Sequence, residues 1–137
     1  TWSRASIAGT RLDDFARLRG MPPLSDVDRQ EVDRRVRRAA YNIIAGKGST
    51  YYGIGSAVSR IVDVLLHDQR AVLSICSRHV EVAGVQDVTL SVPHLLGGSG
   101  VIETIPVPLA EEEQAALHRS ATILKEALVS VLGVHAT

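Results

Sequence analysis

The sequence is poor in sulfur-containing and aromatic side chains, because its 137 residues include one Cys, one Met, one Trp and one Phe. A single cysteine excludes an internal disulfide framework and is typical of proteins that fold in a reducing compartment such as the cytoplasm. Cys76 stands in the apolar run AVLSIC, so a buried and unreactive thiol is expected. The cysteine content therefore favours a cytoplasmic protein.

A net charge is also lacking, since 15 Lys and Arg residues balance 15 Asp and Glu residues. A neutral chain has no overall field that would attract nucleic acid or an anionic membrane surface. No apolar run approaches the roughly 18 residues of a membrane-spanning helix. We therefore expect neither nucleic acid nor a membrane as a partner.

The first residues lack an initiator methionine, because the chain opens with TWSRASIAG. We interpret this opening as the cut edge of a longer polypeptide. Residues 1–137 are long enough to bury a core and are expected to form a single domain.

Two consecutive helices are predicted in the first half of the chain. Apolar residues recur at helical spacing in VDRRVRRAAYNII and again in IGSAVSRIVDVLL. Ser25 or Asp26 can cap the first helix. Gly46 and Gly48 predict a bend or break between the two helices. A short strand or hairpin arm is expected before them, over residues 1–12.

The second half predicts an antiparallel meander followed by a long helix. The segments AVLSICSRHVEV, QDVTLSVPHLL and VIETIPVPL are rich in β-branched residues and are separated by turns at Gly84 and GGSG. Pro93 is expected to interrupt the second strand. A long helix is expected over residues 110–132, because three glutamates follow Ala110 and a helix start favours negative charge. Together with the two earlier helices, this pattern indicates an α+β fold.

The stretch GKGSTYYGIGSAVSRIV, at the junction of the two helices, contains glycines but fits neither common nucleotide-binding motif. A Walker loop requires Gly five residues before its Gly-Lys pair and Ser or Thr after the Lys, where this chain has Tyr41 and Gly48. A dinucleotide fingerprint follows a strand and needs a third small residue, where Val58 stands inside a predicted helix. The sequence therefore predicts no phosphate-binding loop here.

Five histidines raise the question of a metal or catalytic site. They are His67, His79, His94, His118 and His135, and they share no short metal-ligand spacing and no supporting pair of cysteines. Each is expected to be a surface or capping residue, and His94, which precedes a glycine-rich turn, is the best exception. We expect no metal site.

The segment RRVRR forms the densest group of positive charge in the chain. The neighbouring Asp28, Glu31 and Asp33 favour a solvated, salt-bridged helix face over a site for an anion. No aromatic side chain stands among these arginines to stack on a base, which argues against nucleic-acid binding.

Thr50 is the hydroxyl whose surroundings most suggest a ligand. Two glycines loosen the helix before it, two tyrosines follow it, and Ile54 stands four residues further on. Thr50 could therefore direct a hydroxyl at a ligand while Ile54 offers an apolar wall. A hydroxyl that bonds back to its own helix backbone is the alternative, which the residues by themselves favour.

Four ordered blocks of the chain resemble the C-terminal half of the NAD-dependent L-lactate dehydrogenase family, which shares its fold with malate dehydrogenases. TWSRASIAG resembles the segment after the family's catalytic His-Gly motif, and AAYNIIAGKGSTYYGIGSAVSRIV resembles its Ile-Ile-x-x-Lys-Gly-x-Thr-Tyr-Tyr signature. DVTLSVPHLLGGSGVIETI resembles its glycine-linked strand pair, and LAEEEQAALHRSATILKEAL its closing helix. The resemblance implies a substrate domain, with the Rossmann NAD-binding domain absent from these residues.

The resemblance gives roles to two residues of the glycine-rich stretch. Thr50 matches the threonine that lines the pyruvate or lactate pocket, and Ile54 matches the apolar residue that packs on the nicotinamide ring. These two side chains, one turn apart on a helix face, would form one wall of a substrate pocket. The family's catalytic histidine lies upstream of Thr1 and is absent, as are its orienting carboxylate and its substrate-binding arginine.

The resemblance also implies an activity and an assembly. The parent protein is expected to interconvert pyruvate with NADH and L-lactate with NAD in fermentative glycolysis, as a cytoplasmic homotetramer. The chain as it stands is expected to be inactive and to hold no dinucleotide site. It is expected to be at least a dimer, because surfaces that are covered in the parent would be exposed.

Alternatives to this interpretation stay open at the level of the sequence. Thr-Tyr-Tyr-Gly-Ile favours lactate over malate, but a malate or other L-2-hydroxy-acid dehydrogenase domain is not excluded. A non-catalytic oligomerisation module is the alternative from a different functional class. The residues encoded before Thr1 would discriminate between the two classes.

Overall fold

The computed structural model describes residues 1–133, and it has the predicted α+β architecture of two consecutive helices, an antiparallel meander and a long closing helix. The elements in chain order are a 3-10 helix Trp2–Arg4, β1 (Ser6–Ile7), β2 (Thr10–Arg11), α1 (Leu12–Leu18), α2 (Asp26–Lys47), α3 (Tyr52–Leu66), β3 (Ala71–Val82), β4 (Val85–Gly97), β5 (Gly100–Thr104) and α4 (Glu111–Leu132). The chain divides into an N-terminal unit (Thr1–Ser59) and a C-terminal unit (Arg60–Thr137), and α3 runs across the division. His135 lies outside the described residues.

The N-terminal unit begins with the predicted hairpin arm, in which β1 pairs antiparallel with β2. Helix α1, which the apolar pattern did not predict, follows directly. Ser25 caps α2 as predicted, because Asp28 N–H donates to Ser25 Oγ at 3.2 Å and Ser25 N–H donates to Asp28 Oδ2 at 3.1 Å. Hydrogen bonds from Ser25 hold the pKa of the Asp28 carboxyl below its usual value.

Helix α2 ends at Lys47 because Gly48 adopts the left-handed conformation, with φ of 84°. Gly46 remains inside the helix, so only Gly48 makes the predicted break. Helix α3 begins at Tyr52. Residues 48–51 therefore form a short link between the two helices.

The C-terminal unit is built on an antiparallel sheet with the strand order β3-β4-β5. Ala83 and Gly84 have φ of 52° and 83°, as in the two-residue turn that joins twisted antiparallel strands. The expected interruption at Pro93 is wrong, because β4 continues through it. Pro93 O accepts a hydrogen bond from Ile105 N at 2.9 Å, so the face of Pro93 that lacks an N–H points away from β3. The ladder between β3 and β4 therefore loses no donor.

The turn between β4 and β5 packs tightly on the loop that precedes β3. A Cβ atom at Gly97 would lie 2.5 Å from Asp68 Oδ1 and 2.7 Å from Ile102 Cδ1, so a larger residue here would displace the ends of these two side chains. Gly98 N–H donates to Asp68 Oδ1 at 2.8 Å and lowers the pKa of that carboxyl. Strand β5 then ends at Thr104, earlier than predicted.

The core of the C-terminal unit lies between the sheet and α4. Buried Val88 and Leu90 of β4 meet buried Ala121 of α4, and partly buried apolar side chains surround them, namely Val82, Val85, Val92 and Leu117. Burial of each large aliphatic side chain contributes about 1.5–3 kcal/mol. Lys125 Nζ donates to Asp87 O at 2.9 Å, which fixes α4 to the β3–β4 hairpin.

Cys76 is exposed, so the expectation of a buried thiol is wrong. Along β3 the partly buried residues alternate with exposed ones, and Cys76 falls on the exposed set. The apolar run AVLSIC did not predict burial correctly, because successive side chains of a strand point to opposite faces of the sheet and only one of these faces is partly buried. Among the helices within residues 1–133, none is both long and apolar enough to cross a membrane.

Candidate functional site

The link between α2 and α3 borders a cavity of about 490 Å3 in the N-terminal unit. Its lining comes from the end of α2, the link and the first turn of α3, and consists of Asn42, Ile43, Gly46, Lys47, Thr50, Tyr51, Tyr52, Gly53 and Ile54. Thr50 and Ile54 are both among these residues. The structure therefore brings the two predicted site residues to one cavity.

Thr50 lies in the link and not in a helix, so the predicted placement of Thr50 and Ile54 on one helix face is wrong. The physical reason is Gly48, whose left-handed conformation ends α2 before Thr50 is reached. Within residues 1–133 the Thr50 hydroxyl has no hydrogen-bond partner, so it does not bond back to a helix backbone. Its donor and its acceptor lone pairs are available at the cavity wall.

Ile54 lies in the first turn of α3 and is 64% exposed. A large aliphatic side chain at the rim of a cavity presents apolar surface that a ring or another apolar group can cover. Together, Thr50 and Ile54 give the cavity one polar and one apolar contact.

Lys47 lines the same cavity, although the sequence reasoning did not single it out. Its Nζ lies 4.3 Å from the centre of the Tyr51 ring and 4.4 Å from the centre of the Tyr52 ring. The two rings are 4.7 Å apart and tilted by 55°. The signal that could have found this contact is a lysine shortly before two consecutive tyrosines at a glycine break.

The cavity lining limits what chemistry these residues can perform. Among the residues that line it there is no His, Asp or Glu, so this wall carries no carboxylate or imidazole to exchange a proton with a ligand. Gly53 and Gly55 lie inside α3, and the element before that helix is another helix. A dinucleotide phosphate site requires a strand and a glycine turn before the helix. The wall therefore suits contact with a small ligand or a ring.

The arginines of α2 are partly neutralised, as predicted. Arg34 Nε donates to Glu31 Oε2 at 2.8 Å, and Arg35 Nε donates to Glu31 Oε1 at 2.6 Å. The hydrogen bonds from Arg34 and Arg35 lower the pKa of Glu31 to about 2. This part of α2 is a salt-bridged, solvated helix face.

His94 is 1% exposed, so the expectation of a surface or capping residue is wrong. Ser77 Oγ lies 2.9 Å from its Nε2, and Thr104 Oγ1 lies 3.1 Å from its Nδ1. His79 stacks on it with ring centres 5.2 Å apart, and His79 Nε2 lies 3.0 Å from the same Ser77 Oγ. Burial, and secondly the charge of His79, lowers the pKa of His94, which keeps its imidazole neutral at neutral pH. Hydroxyl groups satisfy both of its ring nitrogens.

The other described histidines have ordinary surroundings. His67 pairs with Asp63 at 2.9 Å, and His118 Nδ1 lies 2.8 Å from Ala83 O, both at exposed positions as predicted. Within residues 1–133, no group of three or more His, Cys, Asp or Glu side chains could hold a metal ion.

Comparisons with known proteins give one consistent result. Residues 1–134 match the lactate/malate dehydrogenase alpha/beta C-terminal domain. The chain is 48% identical over 132 residues to an L-lactate dehydrogenase of Thermus aquaticus and 46% identical over 134 residues to one of Geotalea daltonii. These matches cover 96% and 95% of this chain but 42% and 41% of those relatives. The chain thus spans about two fifths of their length.

The fold comparison agrees with the sequence comparison. The crystal structure of the minor L-lactate dehydrogenase of Enterococcus mundtii in its ligand-bound form superposes with a TM-score of 0.85 at 32% identity. The match covers 95% of this chain and 41% of that one.

Proposed function

We propose, since the chain belongs to the lactate/malate dehydrogenase alpha/beta C-terminal domain family, that residues 1–137 form the substrate domain of an NAD-dependent L-lactate dehydrogenase. The reaction is the interconversion of pyruvate with NADH and L-lactate with NAD. The observation that carries the proposal is the cavity lined both by Thr50, whose hydroxyl has no hydrogen-bond partner within residues 1–133, and by the exposed side chain of Ile54. The names of the relatives support the choice of lactate.

Thr50 acts in this proposal as the substrate-side wall. Its hydroxyl can hydrogen-bond a small polar substrate, while its methyl group limits the space beside the substrate's side chain. A compact 2-oxo acid such as pyruvate fits such a wall better than a branched one. Thr50 is therefore assigned to substrate binding and selectivity.

Ile54 acts as the cofactor-side wall. Its exposed apolar side chain suits the flat face of a nicotinamide ring, so the residues present fit this part of NAD. When bound, the cofactor would donate the hydride as NADH in pyruvate reduction and accept it as NAD in lactate oxidation. Ile54 would hold the ring against the wall and exclude water. The phosphates, the ribose and the adenine would be bound by a Rossmann domain that these 137 residues do not include.

The proton donor and the substrate's carboxylate anchor are assigned to the part of the L-lactate dehydrogenase relatives that this chain does not match. The cavity lining has no imidazole or guanidinium among its members. The catalytic histidine, its orienting carboxylate and the substrate-binding arginine would lie upstream of Thr1. Residues 1–137 would then bind neither NAD nor pyruvate productively by themselves.

The proposed setting is fermentative glycolysis in the cytoplasm, with the parent protein as a homotetramer. Exposed apolar side chains of the N-terminal unit, such as Tyr52 and Ile54, support association of the chain with further copies of itself. A malate or other L-2-hydroxy-acid dehydrogenase uses the same wall and is the second candidate. A non-catalytic oligomerisation module is the third.

Substitution of Thr50 in the dehydrogenase that contains this chain tests the proposal. Thr50→Ala is expected to lower kcat/KM for pyruvate and to shift selectivity toward bulkier 2-oxo acids by about 10- to 200-fold, because a placed hydroxyl and methyl group are lost. Thr50→Ser keeps the hydroxyl and should restore part of the rate but not the size limit. Rates with oxaloacetate distinguish the malate alternative.

Thr89→Ala is the matched control, since Thr89 is an exposed threonine of β4 that does not line the cavity. It should leave both quantities unchanged. An unchanged substrate profile in Thr50→Ala would show that Thr50 does not form the substrate wall.

A further inference from the structure

The side chain of Lys47 reaches across the link that carries Thr50. Its Nζ lies over two rings at once, 4.3 Å from the centre of Tyr51 and 4.4 Å from that of Tyr52. A cation within about 6 Å of a ring centre is attracted by the ring's quadrupole. Contact with two rings that are 4.7 Å apart gives the ammonium one preferred place.

This contact joins the two ends of the link. Lys47 is the last residue of α2, Tyr52 is the first residue of α3, and Thr50 lies between them. Thr50 has no side-chain hydrogen bond within residues 1–133, so its hydroxyl is placed only through the backbone of the link. Anything that fixes the distance between the helix ends therefore fixes Thr50.

The left-handed Gly48 turns the chain at the end of α2, but it does not make this turn rigid. A glycine at φ of 84° has no side chain to restrict the neighbouring dihedral angles. The ammonium of Lys47 stands before this turn and contacts the rings of Tyr51 and Tyr52 after it, which provides the missing restraint. It also stands near the C-terminal end of α2, where positive charge stabilises the helix dipole.

We propose that Lys47 is a positioning residue, which places Thr50 at the cavity wall through its contact with the rings of Tyr51 and Tyr52. The inference rests on the proposed role of Thr50 in selectivity. Lys47 acts through Thr50, because its ammonium faces the rings of Tyr51 and Tyr52. Its positive charge matters because it faces the rings, so Arg at this position keeps the function and an uncharged chain of similar length does not.

A double-mutant cycle in the parent dehydrogenase tests the proposal. Lys47→Met is expected to reduce the preference for pyruvate over 2-oxobutyrate by up to about 5- to 30-fold, the size expected for loss of two exposed cation–ring contacts. Lys47→Arg is expected to restore it. In a Thr50→Ala background Lys47→Met should have no further effect on selectivity, because its action runs through Thr50.

Arg38→Met is the matched control, because Arg38 is an exposed cation of the same helix that has no ring contact within residues 1–133. It should leave selectivity unchanged. Additive effects of Lys47→Met and Thr50→Ala, or a Lys47→Met enzyme with unchanged selectivity, would overturn the proposal.

NMR of the 137-residue chain separates this proposal from the proposed function. The Thr50 methyl resonance should move in Lys47→Met, return toward its original position in Lys47→Arg, and stay in place in Arg38→Met. If Thr50→Ala leaves selectivity unchanged while the methyl resonance moves as expected, the proposed function fails and the positioning contact stands. A methyl resonance that stays in place in Lys47→Met contradicts the contact itself.

Discussion

The two units of the chain differ in what they bury. The C-terminal unit contains all the buried residues found within residues 1–133, namely Val64, Val88, Leu90, His94, Leu96, Gly97 and Ala121. In Thr1–Ser59, which the structure describes completely, no residue is buried. Even the 22-residue helix α2 leaves Val36 70% exposed. One unit therefore has a core of its own, and the other has surfaces that lack a cover.

The candidate site lies in the unit without a core. A helix with no buried face gains little stability from packing, and its own hydrogen bonds are marginal in water. Thr50, Ile54 and Lys47 therefore depend on local devices, such as the Ser25 cap and the left-handed Gly48, until further protein covers them. In this chain the buried core and the candidate site therefore lie in different units.

The largest expected difference between the units appears in core truncation. Leu90 is 5% exposed and packs with Ala121. The substitution Leu90→Ala should therefore lower the free energy of unfolding by about 2–5 kcal/mol. Val36→Ala on α2 should cost less than about 0.5 kcal/mol, since an exposed position loses little on truncation. Urea unfolding followed by circular dichroism measures both. Equal losses for the two variants would mean that the N-terminal unit has a core after all.

Acid should weaken the C-terminal unit through His94. Because burial lowers the folded-state pKa of His94, the unfolded chain takes up this proton first. Stability is therefore fully present above about pH 6.5, the ordinary histidine value, and falls as the pH drops toward the lowered pKa. The slope is at most about 1.4 kcal/mol per pH unit for one proton.

Urea midpoints between pH 7.5 and pH 5 measure this dependence. His94→Gln should flatten the slope, while the exposed control His67→Gln should keep it. Asp68 and Asp87 have lowered pKa values, so they stabilise the fold above about pH 4 and lose this effect below it. They therefore do not contribute to the slope between pH 7.5 and pH 5. A slope unchanged in His94→Gln would assign the acid sensitivity to another group.

Self-association should depend on the unit that lacks a core. The chain is expected to be at least a dimer at tens of micromolar, and Val58→Gln, at an exposed position of α3, should weaken the dimer roughly fivefold because apolar area is removed. Light scattering over a concentration series measures the mass. A mass near the 14.7 kDa of one chain at every concentration would contradict the expectation.

Much of the fold was predictable because its signals are local. The alternation of AVLSICSRHVEV and the glutamates before α4 identify elements through neighbouring residues alone, and β3 has the predicted bounds. The predictions of a strand interruption at Pro93 and of a buried Cys76 thiol were wrong. Both depend on which face and which edge of the strand meets a neighbour. Neither property is written in the local sequence.

The sequence singled out two residues that line the cavity, but it did not predict their geometry. Thr50 and Ile54, and their placement on one helix face, came from a resemblance, and the left-handed Gly48 ends α2 before Thr50 is reached. The burial of His94 was not predicted, because its partners Ser77 and Thr104 are 17 and 10 residues away along the chain and meet it only in the sheet. Contacts across a sheet require the register, which one sequence does not supply.

Pyruvate-dependent oxidation of NADH tests most directly whether residues 1–137 form the substrate domain of a lactate dehydrogenase. The rate is measured for the chain alone and for a fusion protein. The fusion joins them to the part of the Thermus aquaticus L-lactate dehydrogenase that precedes its matching region, which is 48% identical to this chain. We predict no turnover above the uncatalysed rate for the purified chain, and turnover that Thr50→Ala alters for the fusion. Turnover by the chain alone, or a folded, NADH-binding fusion that reduces neither pyruvate nor oxaloacetate, would contradict the proposal.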